Sequence, residues 1–181
     1  MRSIVKVPNT VLTTPAERIM VFDKKLGKII DEMKTSLRAT RKPKGVGLAA
    51  PQVGLALRLF ITRPKDDDPI RVFINPEVIN HSETQTDGVP DRNNKLEGCL
   101  SIDAIWGKVK RATAISLRYQ DESGVSHEEA FTGFLATIIQ HETDHTNGIL
   151  FTHRVLEQKG KLFQTVTDED GKEVLEELLL K

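Results

Sequence analysis

The sequence predicts an α+β fold in which largely antiparallel sheets pack around a central helix, with a further helix near the N-terminus. Three observations lead there. Apolar residues recur at helical spacing over residues 16–39, and a second, strongly apolar helical run ends near residue 146. Short β-rich runs lie between them, without the strand–helix alternation of a parallel sheet. A chain of 181 residues can bury a core without disulfide or metal staples, and it is read as a single domain over 1–181 with a variable C-terminal segment, 156–181.

The elements follow in order. Ile19, Met20, Phe22, Leu26, Ile29, Ile30, Met33 and Leu37 give the first helix its apolar stripe; Thr14-Pro15 is its expected start and the 41–45 run, with Pro43 and Gly45, its end. Residues 57–62 and 72–79 are β-rich and flank the polar, proline-bounded loop 64–69. Residues 81–95, with Gly88, Pro90 and the Asn93-Asn94 pair, read as a surface loop. Strands are expected at 109–119 and 125–131, joined by the turn Asp121-Glu122-Ser123-Gly124. The central helix runs over 132–146. Phe134, Leu135, Ile138 and Ile139 give it an apolar body to bury against the strands, and Asn147-Gly148 stops it. The tail holds a turn at Asp170-Gly171 and a short amphipathic segment, 173–180.

Composition excludes several classes of function. Twenty-six basic and 26 acidic side chains cancel, so neither nucleic acid nor an anionic membrane is an expected partner. No apolar run approaches the ~20 residues that span a bilayer, and the N-terminal residues lack the pattern of a signal peptide. Cys99 is the single cysteine, which rules out an internal disulfide and suits a reducing cytoplasm.

The central helix carries the chemistry. In His141-Glu142-Thr143-Asp144-His145 the two histidines are four apart, so a helix presents both imidazoles to one point, with Glu142 beside them to handle a proton. Two imidazoles leave a divalent metal short of ligands. The metzincin extension would place a histidine at position 151, which is Phe151; His153 lies two residues too far on and reads as an exposed polar residue. The third ligand is then a downstream glutamate or the thiol of Glu97-Gly98-Cys99-Leu100-Ser101. A third cluster, Gly45-Val46-Gly47-Leu48-Ala49-Ala50-Pro51-Gln52-Val53-Gly54, lacks the Gly-Lys-Ser/Thr ending of a phosphate-cradling loop.

Taken together, Gly-x-Gly-Leu-Ala-Ala-Pro-Gln, Glu-Gly-Cys-Leu-Ser and Gln-His-Glu-x-Asp-His resemble, in this order, the three motifs of the peptide deformylases. The similarity extends from the first helix to about residue 155, with a longer stretch than usual before the second motif. The resemblance implies a metal-dependent hydrolase that removes the N-formyl group from the formyl-methionine of newly synthesised polypeptides and releases formate. It implies Cys99, His141 and His145 as metal ligands around Fe²⁺, which Zn²⁺, Ni²⁺ or Co²⁺ can replace, with water in the fourth position; three protein ligands and an open position describe a catalytic site. Glu142 would carry the proton, and the Gln52 side-chain amide and the Leu100 backbone N–H would donate to the developing oxyanion. On the substrate side, Gly47 would admit the peptide backbone and Val46, Phe134 and Ile138 would form the methionine pocket. Glu97, grouped with them, is expected to pair with Arg111 and hold the Cys99 segment.

Two features depart from the family pattern. The run after the second motif, Ile102-Asp103-Ala104-Ile105-Trp106, lacks the usual proline, which bears on contacts beyond methionine. Some members dock on the ribosome through a basic C-terminal helix, whereas residues 168–181 here hold six acids and two lysines, which disfavours that contact. A zinc endopeptidase would share the helix motif but has no use for Cys99 or Gln52. An inactive binding module would have lost a ligand, Glu142 or Gln52, and all are present.

Overall fold

The computed structural model describes residues 1–90, 93 and 95–179; Asn94 of the expected loop and Leu180 of the expected tail segment lie outside them. In chain order the strands are β1 (Gly47–Ala49), β2 (Leu59–Thr62), β3 (Arg71–His81), β4 (Glu97–Cys99), β5 (Ile102–Gly107), β6 (Ala114–Gln120), β7 (Ser126–Thr132), β8 (Leu162–Thr167) and β9 (Glu173–Glu177). The helices are α1 (Lys24–Ala39), α2 (Gly133–Thr146) and α3 (Phe151–Glu157). One sheet has the order β1-β2-β3-β6-β7 and the other β4-β5-β8-β9. Every pairing in both is antiparallel, so the fold is α+β as expected.

Helix α1 begins at Lys24 rather than near residue 16. The Asp23 carboxylate caps it by accepting from the Leu26 N–H at 2.9 Å. The apolar residues before Asp23 belong to an extended strap instead. Its Glu17 N–H donates to the Ala56 carbonyl, the Arg58 N–H donates to the Glu17 carbonyl, and the Asn75 side chain hydrogen-bonds the Ile19 backbone in both directions. Helical spacing continues through these residues, but long-range backbone bonds take the groups a helix would need. Helix α1 lays Leu26, Ile30, Met33 and Leu37 against Leu48, Leu59, Ile61 and Ile74 of the larger sheet.

Helix α2 packs Ala136 and Ile139 among Phe60, Phe73, Leu117 and Phe131, on the same sheet. It therefore presents its remaining side toward the smaller sheet. Beyond Asn147, Gly148 turns at φ 73°, and α3 follows, a helix the sequence did not announce. Its Phe151 and Val155, with Cys99, Leu150 and Leu162, form a third apolar cluster beneath β4.

Other expectations need adjusting. Residues 109–113 do not join β6, because the Gln140 side chain brackets the backbone of Ala112 on both its N–H and its carbonyl. The 81–95 stretch is no simple surface loop: Gln85 bridges to Ala112, and Val89 is buried. The tail forms the hairpin β8–β9, which extends the smaller sheet from β5. Among the described residues no helix is long and apolar enough to cross a membrane.

Candidate metal centre

Two elements bring the ligating groups together. Helix α2 sets His141 and His145 edge to face, with ring centroids 5.0 Å apart and planes inclined at 77°. Strand β4 carries Cys99 up to them, its Sγ 3.2 Å from His145 Nε2. One ligand atom from each of Cys99, His141 and His145 lies within 4.8 Å of the others, an arrangement that can hold a metal ion. In a tetrahedral zinc-type site such atoms sit roughly 3.3–3.8 Å apart, so only small shifts separate this geometry from coordination. The donor set fits a transition metal: one soft sulfur and two imidazoles. Phe151 fills the place where a metzincin histidine would lie, stacking on His141 at 6.2 Å, and His153 is exposed on α3.

Two of the three ligating groups, His141 and Cys99, are held from behind, whereas the buried His145 Nδ1 has no hydrogen-bond partner among the described residues. His141 Nδ1 meets Glu97 Oε2 at 2.9 Å, which leaves its Nε2 for the shared point. Glu97 also takes two bonds from Arg111, at 2.5 and 3.0 Å. Arg111 reaches Asp144 at 3.0 Å, and Asp144 is gripped in turn by Arg154 at 2.7 and 3.1 Å. The Cys99 thiol accepts from the Gln52 amide at 3.3 Å and the Ser101 N–H at 3.4 Å. Gln52 is oriented by the Ala49 N–H, which donates to its Oε1 at 2.8 Å and so turns the amide NH₂ toward the sulfur.

Burial would raise the Cys99 thiol, but the facing His145 and His141 hold it well below its ordinary range, toward the thiolate a metal needs. Burial would likewise raise Glu97, and there Arg111 and His141 prevail, holding it at about 2. Glu142 is as buried as Glu97, at 4% exposure, yet burial dominates and its carboxyl rises to about 6. Its Oε2 has no hydrogen-bond partner.

Gly47 has a more immediate reason to be glycine than peptide approach. A Cβ there would lie 2.3 Å from Glu142 Oε1, so the bare backbone is what admits the Glu142 carboxylate. Both residues line a cleft whose walls also include Val46, Gln52, Leu100, Phe134 and Ile138. All eleven residues singled out from the sequence thus gather here, with His145 beneath the floor. Glu97 lies in the wall, but its carboxylate is turned to Arg111 and His141, so it stands behind the ligands rather than open to a substrate.

The sequence reading missed Asp144 and Arg154 as outer members of the charge network, and Trp106 and Val89 as cleft lining. An acid set directly before His145 on an apolar helix was the available signal for the first. Nothing local marked the other two.

The chain matches the sequence model of the polypeptide deformylase family over residues 1–161. It is 41% identical over 152 residues to peptide deformylase 1 of Bacillus cereus, covering 84% of this chain and 90% of that one. Peptide deformylase 1 of Bacillus subtilis is 38% identical over 155 residues, covering 86% and 90%. The crystal structure of the peptide deformylase from Thermotoga maritima superposes with a TM-score of 0.75 at 33% identity, covering 85% of this chain and 97% of that one. With the motifs, the fold and a Cys/His/His cluster in one cleft all in agreement, the chain belongs to the polypeptide deformylase family.

Proposed function

We propose that this chain removes the N-formyl group from the formyl-methionine of newly synthesised polypeptides through the cleft around Cys99, His141 and His145. The observation that carries the reading is the meeting of those three ligand atoms beside a buried Glu142 whose carboxyl is raised to about 6, in a chain of the deformylase family. Cys99, His141 and His145 would hold the ion, which we take to be Fe²⁺, with Zn²⁺, Ni²⁺ or Co²⁺ able to replace it. When bound, the ion supplies Lewis acidity, making water a better nucleophile and drawing charge from the formyl oxygen.

The chain's own residues do the rest. Glu142 accepts the proton of the attacking water and later delivers it to the leaving amine, for which a carboxyl raised to about 6 is well matched near neutral pH. Gln52, oriented by Ala49, and the Leu100 N–H donate to the formyl oxygen as negative charge develops there. Val46, Phe134 and Ile138 receive the unbranched, polarizable methionine side chain. Glu97 fixes the orientation and tautomer of His141 and is itself fixed by Arg111.

We place the protein in the cytoplasm, acting on nascent chains without binding nucleic acid. Glu173, Glu176 and Glu177 are exposed on β9, which disfavours docking on ribosomal RNA. Formate release from formyl-Met-Ala-Ser tests the reading, using protein purified anaerobically with Fe²⁺. Metal-dependent turnover is expected; its absence from the iron, nickel and cobalt forms alike would overturn it.

A further inference from the structure

We infer that Trp106, held by the C-terminal hairpin, builds a subsite for a large apolar side chain, best an aromatic one, within the two peptide residues after formyl-methionine. The inference rests on the cleft being the deformylase site and adds to that reading a preference among its peptides.

Trp106 lies on β5 directly across from Gly98 of β4, the residue between Glu97 and the Cys99 thiol. Its six-membered ring covers Gly98, where a Cβ would come within 2.6 Å of Cζ3. Only a residue without a side chain leaves the indole this seat. From there the ring lines the same cleft as His141 and Glu142. Pro43, Val46 and Val89 line it too, and among the described residues the lysine of the lining, Lys44, is paired with Asp66.

The ring's orientation is set from outside the motifs. The indole N–H donates to Thr165 Oγ1 at 2.8 Å, and Trp106 pairs with Phe163 in the strand register, so β8 fixes both the backbone and the polar edge of the residue. Strand β8 begins after residue 161, where the family match ends. Val89 comes from the long stretch before the second motif and is 2% exposed, its N–H donating to the Lys95 carbonyl at 3.0 Å. Three segments that depart from the common pattern therefore meet at one cleft: Trp106 of β5 and Val89 line it, and β8 holds Trp106 in place. A partly exposed indole in a cleft also lined by Val89 and Pro43 suits an aromatic or long aliphatic side chain and disfavours an anionic one.

Trp106 is the chain's single tryptophan, so its fluorescence reports this place alone. The test compares kcat/KM for formyl-Met-Phe-Ser and formyl-Met-Ala-Phe with that for formyl-Met-Ala-Ser, on the metal-loaded enzyme. At least one phenylalanine peptide should be favoured by about five- to tenfold, mostly through KM, the scale of one aromatic contact. That ratio should fall to near one in Trp106→Ala and stay high in Trp106→Phe. Thr165→Val, which keeps shape but loses the acceptor, should lower the ratio through KM, shift the Trp106 emission and leave the unfolding temperature in place. Hydrolysis of formyl-Met-Ala-Ser with no gain for either phenylalanine peptide overturns the subsite alone, as does a gain that survives Trp106→Ala. No hydrolysis of any of the three strikes at the deformylase reading instead.

Discussion

Two carboxylates beside the candidate metal centre show what partners do to equal burial. Glu97, on the β4 wall, and Glu142, on the α2 wall, are each 4% exposed. Glu97 has Arg111 and His141 against it and is held as an anion, at about 2. Glu142 has one oxygen over bare Gly47 and the other without a partner, and rises to about 6. One wall is therefore a fixed charge that positions a ligand; the other carries a carboxylate able to take up and release a proton near neutral pH. A buried acid is costly unless paired, and the unpaired one is where proton transfer is expected.

The largest effect should come from the ligands that the two walls carry. Cys99→Ala and His145→Ala should take the protein from about one metal per chain to nearly none, as read by atomic emission on purified protein. His81→Ala, His127→Ala and His153→Ala should retain full metal. A metal-free His153→Ala beside a fully loaded Cys99→Ala would break the ligand set.

Glu97→Ala should come next. Among the described residues it leaves buried Arg111 with Asp144 alone as counter-charge, and His141 without its fixed orientation. A loss of about 3–5 kcal/mol in chemical denaturation is the scale for removing one partner of a buried pair. Metal affinity in the more conservative Glu97→Gln should drop about 10–100-fold. Unchanged affinity in Glu97→Gln would make its contact with His141 incidental.

The pH dependence sharpens the contrast, because the two shifts have opposite signs. Glu97 is lowered from 4.5 to about 2, so its anion contributes stability above pH 4.5 that is lost as pH falls toward 2. Glu142 is raised from 4.5 to about 6, so ionising it costs stability as pH rises through that interval. In metal-stripped protein, the penalty of Glu97→Gln should fade from pH 4.5 downward. Glu142→Gln should gain on the wild type between pH 4.5 and 6. Parallel curves for the two variants would remove the distinction. The smallest effect belongs to the surface: Arg118 and Glu128 pair at 2.8 Å but are half exposed. A double-mutant cycle there should give under about 1 kcal/mol.

The difference between the walls also explains what was legible in the sequence. Helix α2 could be read almost to the residue, since an apolar body, a ligand pair four apart and the Asn147-Gly148 stop are all local signals. Helix α1 was placed too early although Asp23 marked its start, because the apolar spacing runs on through a strap whose bonds go to Ala56, Arg58 and Asn75. Strand β4 spans only Glu97–Cys99 around a glycine and has no periodicity to detect. The pairing of β5 with β8 and the seat of Trp106 on Gly98 depend on register set far along the chain. The Glu97–Arg111 pair was expected, but the bond from His141 Nδ1 to the Glu97 carboxylate joins two walls that only the assembled fold brings together.

The central claim, that Glu142 moves the proton while Cys99, His141 and His145 hold the ion, is tested most directly by Glu142→Gln with metal content and kcat measured on the same preparation. The substitution keeps size and polarity but cannot accept a proton. Full metal, an unchanged fold and a kcat lower by about 10²–10⁴ are the expected result. Full metal with near-normal formate release would contradict it.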